Sequence, residues 1–289
     1  MTATEAFYPY PVQKQSLYDG SEMAFVEQGT GTYTLLFIHG LSSNLLGWHK
    51  NFGELSEKYR CIAVDLPGNG LSPNSPTGNY DLKYFARCLL DFIGRKGLQN
   101  VCLIGHSMGA QIAVLAALEA PPAIQKLVLM APAGLEQFSV WEQATAHTAF
   151  FFADFLQRPE DSMKQFYEQA FYRTPKASRR MLEACLEDYH RHGSVAYRKM
   201  LTQCISGMFQ QPVFESLRNV QQPTLIVFGE QDALIPNRLW HPHLSVRQLA
   251  TTACTIMPDA RAEIFPRAGH FVHWESADAV NAAIENFVG

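Results

Sequence analysis

The residues of this chain that could do chemistry together are a serine, an aspartate and a histidine lying far apart: Ser107, Asp232 and His270. Ser107 sits in Gly105-His106-Ser107-Met108-Gly109, directly after the apolar run Val101-Cys102-Leu103-Ile104 and ahead of a helical run to Glu119. A strand that feeds Gly-X-Ser-X-Gly and then a helix puts a hydroxyl on a sharp, strained bend. Gly105 and Gly109 remove the side chains that would clash as strand and helix close up. We read the stretch as a nucleophile elbow. The helix N-terminus beneath it offers free N–H groups and a favourable dipole to developing negative charge. A serine hydroxyl is a poor nucleophile until a base takes its proton, and that base needs a third group to hold its tautomer. Asp232 follows an apolar run ending at Gly229, and His270 follows the last such run. Their order, Ser then Asp then His, is the one used with an elbow. Residue types alone leave rivals: Glu230 or Glu136 for the carboxylate, and His273 for the base.

Other polar residues are read more plainly. His106, next to Ser107 on a strand, is expected to point away from the hydroxyl. His39 is expected to shape its loop by hydrogen bonds, and Asp65 to bond loop N–H groups. His190-X-His192 and His241-X-His243 are close histidine pairs without a clear third ligand, so both are expected to be polar surface and no metal or cofactor is assigned. Arg173, Arg179, Arg180, Arg191 and Arg198 are expected to be mostly solvated.

The elements that must position these residues alternate. Residues 12–28 read as a hairpin around Asp19-Gly20. Strands are expected over Tyr33–Ile38, Tyr59–Val64, the elbow run, Lys126–Met130, Pro223–Gly229 and near Ala262–Phe265. Helices are expected between them, with Ser276 capping a last one over 277–288. Strands alternating with helices imply an α/β fold with a mainly parallel sheet covered on both faces. From about Leu135 to Val220 strand signals vanish and aromatic-rich helical patterns take over, then the sheet resumes. We therefore expect a core of 1–134 and 221–289 with a helical insertion over 135–220.

Composition bounds the class. With 289 residues, 47% hydrophobic and 17% charged, the chain can bury a sizeable core. A net charge of -4 argues against nucleic acid as a partner. No apolar run approaches the ~20 residues of a membrane span. The N-terminus lacks a secretory pattern and the six cysteines form no Cys-X-X-Cys pair, so a reduced, cytoplasmic protein is expected, as monomer or homodimer.

Taken together, His39-Gly40, the loop Asp65-Leu66-Pro67-Gly68-Asn69-Gly70-Leu71-Ser72, the elbow, Gly229-Glu230-Gln231-Asp232 and Gly269-His270 resemble the α/β-hydrolase fold superfamily, of the kind bearing a helical cap. The resemblance runs from residue 12 onward. It implies Ser107 as nucleophile, His270 as general base and then acid, and Asp232 as the group orienting His270. It further implies an oxyanion hole from the N–H groups of Met108 and Leu41, and a cap over the serine. Phe138, Trp141, Phe150, Phe151 and Phe155 then become candidates to line an apolar acyl pocket. Relatives that use aspartate at the elbow, dehalogenases and epoxide hydrolases, are excluded by Ser107. The single glycine of His39-Gly40-Leu41 suggests ordinary carboxylic esters, cleaved through an acyl-enzyme without a cofactor. Two alternatives share the triad: hydrolases of carbon–carbon bonds in ring-fission diketones, which Gly47-Trp48 and Asn51-Phe52 resemble, and triad-retaining small-molecule receptors.

Overall fold

The structure, a computed structural model, describes residues 10–119, 122–139, 141–143, 158–173 and 178–289. Strands β1 (Gln13–Ser16) and β2 (Glu22–Gln28) form the expected hairpin, followed by β3 (Thr34–Ile38), a 3-10 turn at Leu45–Trp48, α1 (His49–Leu55) and β4 (Arg60–Val64). Then come α2 (Leu82–Arg95), β5 (Val101–His106), α3 (Met108–Leu118) and β6 (Ile124–Met130). The next helices are α4 (Pro159–Ala170), α5 (Ser178–His192) and α6 (Ser194–Gln210), closed by a 3-10 turn at Phe214–Asn219. The chain ends with β7 (Thr224–Gly229), α7 (Val246–Ile256), β8 (Ala260–Phe265), α8 (Val272–Glu275) and α9 (Ala277–Val288).

Among the described residues the strands make one sheet in the order β1-β2-β4-β3-β5-β6-β7-β8. Strand β2 runs antiparallel to both neighbours and every other pairing, from β4–β3 through β7–β8, is parallel. Side chains alternate along a strand, so an unbroken apolar run feeds two cores at once. Leu36 and Ile38 of β3 pack with Leu103, Ile226 and Phe228 under α2, α3 and α7. Leu35 and Phe37 pack with Ile104, Val128 and Val227 against α1 and α9. Strand β8, with one neighbour, carries Arg261 exposed and Glu263 half-buried, which suits an edge.

No strand falls between 135 and 220 among the described residues; α4, α5 and α6 occupy that stretch. Helix α5 is tied to the core by Asp188, buried at 2% exposure. Its carboxylate accepts from Asn44 Nδ2 at 2.8 Å and from the Gly70 N–H at 3.2 Å. Arg191 Nη1 and His192 Nε2 both donate to the Gly70 carbonyl, each at 3.0 Å. The expectation of solvated polar surface is therefore corrected for these two: they reach the loop after β4, and the energy of satisfying a buried carbonyl holds them there. Burial pushes the Asp188 carboxyl up to about 6 and that of Asp65 up to about 8. Asp65 bonds the N–H groups of Leu45 and Leu71, both at 2.8 Å, as its loop role predicts.

Candidate active site

Strand β5 ends at His106 and α3 begins at Met108, so Ser107 alone makes the bend. Its backbone sits at φ 54 and ψ −116. Four backbone bonds fix it: Ser107 N–H donates to the Met130 carbonyl at 2.9 Å, and Ser107's carbonyl accepts from Ala110 at 3.0 Å, Ala133 at 3.2 Å and Gln111 at 3.3 Å. The two flanking glycines are sterically required. A Cβ on Gly105 would sit 2.6 Å from the Ala110 Cα, and one on Gly109 would run into the Ile38 carbonyl and lie 2.5 Å from that of His39.

Asp232 and His270 arrive from the ends of β7 and β8, which are adjacent and parallel. The loops after them are zipped by main-chain bonds, Glu230 N–H to Phe265 O and Gln231 N–H to Ala268 O, both 2.9 Å. A Cβ on Gly229 would strike the carbonyls of Ala268 and Gly269. This close approach brings His270 Nδ1 to 2.9 Å from Asp232 Oδ2, with each residue 1% exposed. The other carboxylate oxygen accepts from Leu234 N–H at 2.9 Å and Ile235 N–H at 3.0 Å. Because a carboxylate accepts, Nδ1 carries the hydrogen and Nε2 is left with its lone pair. The rivals are engaged elsewhere: Glu230 with Arg247 at 2.8 Å, Glu136 with His241 Nδ1 at 2.7 Å. His273 is buried against Trp48, ring centroids 4.5 Å apart.

The loop after β3 lies against the bend. A Cβ on Gly40 would be 3.1 Å from Ser107 Cβ. His39 Nε2 accepts from the Leu66 N–H at 3.1 Å, so Nδ1 carries the hydrogen and donates to the Gly40 carbonyl at 2.8 Å. In a trans peptide C=O and N–H point oppositely, so holding the Gly40 carbonyl also aims the Leu41 N–H. Burial drives His39 down to about 4, keeping the ring neutral for that role. Met108, first residue of α3, has an N–H with no acceptor inside the helix.

Sequence reasoning missed part of His106. It stays off the serine, yet its Nε2 donates to the His270 carbonyl at 3.0 Å. Burial and the neighbouring His273 and His270 hold it well below the usual imidazole range. A histidine in an otherwise apolar buried strand was the available signal. The His241-X-His243 expectation is corrected in one half: His241 is partly buried and bonded to Glu136, because the latter's burial demands a donor. Among the described residues no cluster of three ligating side chains exists. Phe138 is half-buried between the rings of Phe209 and His241, each 5.0 Å away. Trp141 is 69% exposed and meets Trp240 edge-on at 6.4 Å. Phe150, Phe151 and Phe155 lie outside the described residues.

With sheet order, elbow and the Asp232–His270 pair in place, the class of protein is defined. Residues 33–277 match the alpha/beta hydrolase fold family, and the chain belongs to it. Among relatives, a dihydrolipoyllysine-residue acetyltransferase component of an acetoin cleaving system from Cupriavidus necator is 29% identical over 277 residues, covering 94% of this chain and 67% of its own length. A 2-hydroxy-6-oxononadienedioate/2-hydroxy-6-oxononatrienedioate hydrolase from Burkholderia vietnamiensis is 26% identical over 281 residues, covering 93% and 92%. The solved esterase from Exiguobacterium antarcticum superposes with a TM-score of 0.82 at 21% identity, covering 96% of this chain and 98% of that one. No helix among the described residues is long and apolar enough to cross a membrane.

Proposed function

We propose that this protein is a serine hydrolase that cleaves carboxylic esters of small, apolar substrates through an acyl-enzyme. The supporting observation is the buried Asp232–His270 hydrogen bond of 2.9 Å, formed at the C-terminal ends of parallel strands, the same end of the sheet as a serine held on a strained strand–helix bend. Ser107 Oγ attacks the ester carbonyl as its proton passes to His270 Nε2, the nitrogen that Asp232 leaves free. Charge on the tetrahedral oxygen is met by the N–H groups of Met108 and Leu41. The same proton is then given to the departing alcohol, and water deprotonated by His270 releases the acid. No cofactor enters this route. Residues 135–220 act as a cap over the serine, with Phe138 and Trp141 at the acyl side. A reduced, cytoplasmic setting is part of the proposal and suits six free thiols.

A fluorophosphonate should label the wild-type protein on Ser107, located by mass spectrometry, and steady turnover of p-nitrophenyl esters should fall at least about 10³-fold in Ser107→Ala. Unchanged turnover in that variant would sink the proposal, and a single slow turnover would point to a receptor. A carbon–carbon hydrolase is the second reading, favoured by the full-length similarity to the Burkholderia vietnamiensis relative. Loss of the visible absorbance of a vinylogous diketone, with poor ester turnover, would select it.

A further inference from the structure

Helix α4 touches both halves of the candidate site at once. At its C-terminal end the Ala170 carbonyl accepts from the His270 N–H at 2.7 Å and lies 3.4 Å from the Phe271 N–H. The fit is close enough that a Cβ on Gly269 would stand 2.7 Å from that carbonyl. Glu275 closes the joint by accepting from Gly269, Tyr172 and Arg173 N–H groups at 2.7, 3.1 and 3.0 Å. Phe171 and Tyr167 both stack on Phe271, the residue after the base, with interplanar angles of 6° and 15°. From that stack the Tyr167 hydroxyl, itself buried, donates to the Ser42 carbonyl at 2.8 Å.

Ser42 is where the loop after β3 needs holding. Its backbone is at φ 50, a region that a residue with a Cβ keeps only when its surroundings insist. Its own Oγ is buried with no hydrogen-bond partner among the described residues, so the side chain does not anchor it. Leu41 therefore lies between two fixed carbonyls: Gly40's, held by His39 from the core, and Ser42's, held by Tyr167 from α4.

We propose that Tyr167 is a positioning residue: its hydroxyl pins the Ser42–Ser43 peptide, the far end of the short loop whose near end is held by His39 at Gly40, so that docking of α4 on the His270 loop keeps the Leu41 N–H between them in place for the oxyanion hole. The inference rests on the serine-hydrolase reading above. Misplacing a donor by a fraction of an ångström costs rate without costing ground-state binding, because the donor meets full charge only in the transition state.

The test is Tyr167→Phe, which keeps the stacked ring and deletes the hydroxyl. On a p-nitrophenyl ester, kcat should fall on the order of tenfold with KM unchanged, below the ~10²–10³ of losing a donor outright. A trifluoromethyl ketone, whose adduct places an oxyanion in the hole, should lose affinity by the same factor as kcat. Tyr189→Phe, which deletes another buried hydroxyl of the same helical stretch, should match wild type. Wild-type kcat and ketone affinity in Tyr167→Phe would overturn the inference, as would a raised KM at unchanged kcat. If Tyr167→Phe does not fold, Glu275→Gln loosens the same joint without touching the ring; kcat down at constant KM supports the inference, and wild-type kinetics overturn it. Should Ser107→Ala retain full turnover, the serine reading itself falls; an inactive Ser107→Ala beside a wild-type Tyr167→Phe removes only this inference.

Discussion

At Ser107 the chain holds a non-glycine residue at φ 54 and ψ −116, where a Cβ costs about 1–3 kcal/mol. A serine is kept there against that strain because the bend is what lifts its hydroxyl clear of the strand. Ser107→Gly relieves the strain and Ser107→Ala does not, so both should be inactive while the glycine variant unfolds at higher denaturant, by about 1 kcal/mol; equal midpoints would refute the strain argument. Several candidate residues were legible in sequence because chemistry limits them. Few side chains can activate a serine, and each strand end offered one or two. The choice among Asp232, Glu230 and Glu136 was not legible. It turns on which carboxylate the Gly229–Gly269 contact brings to the imidazole, and that contact is between residues 40 apart in sequence. The partners of His106 and Tyr167 were illegible for the same reason: both are backbone carbonyls, which carry no mark in the sequence.

Helix α3 is apolar apart from Gln111 and sits at the centre of one core, with its first turn against the end of β3. In the mechanism proposed above, that junction governs the gap between the Met108 and Leu41 N–H groups. Gly109→Ala would drive a methyl into the carbonyls of Ile38 and His39, so we expect a loss of about 1–3 kcal/mol in stability and a fall in kcat larger than any change in KM. Thermal unfolding and ester kinetics on one preparation check both; an unperturbed kcat would mean the junction does not govern the site. Buried elements were read well, since runs such as Thr34–Ile38 and Thr224–Gly229 have little alternative to a covered strand. Caps were read less well. Ser276 precedes α9 as expected, yet its side chain makes no capping bond, whereas Asp81 caps α2 by accepting from the Tyr84 N–H at 2.7 Å. At Ser276 the preceding short helix α8 already fixes the backbone, with Ser276 N–H on the Val272 carbonyl at 2.9 Å.

Across the whole molecule, three buried imidazoles on the site's side of the sheet resist protonation: His39, His106 and His273, the last driven by burial and His270 from 6.5 down to about 3. A histidine with a depressed folded pKa contributes nothing above its unfolded value. Below it, the unfolded chain takes up a proton that the folded chain refuses. Stability is therefore lost as pH falls from 6.5 toward 3, at about 1.4 kcal/mol per pH unit for each such group. Asp65 and Asp188, with raised values, act in the opposite sense, so the useful quantity is a difference. His273→Phe should gain on wild type by about that slope in urea unfolding between neutral pH and about pH 5. Parallel pH curves would show that His273 is not held neutral.

By itself the sequence determined the alternation of strand and helix, the strand–helix bend at Ser107, the helical character of α4 to α6 and a short set of candidate chemistry. Those follow from patterns a few residues long: a buried strand must be apolar, and a bend that tight must be flanked by glycine. Only the tertiary structure decided which carboxylate meets His270, which carbonyl His106 supports, and that α4 bridges the base to the loop after β3. Each of these depends on distances between segments far apart in the chain, fixed by the order of strands in the sheet and by how closely their loops can approach.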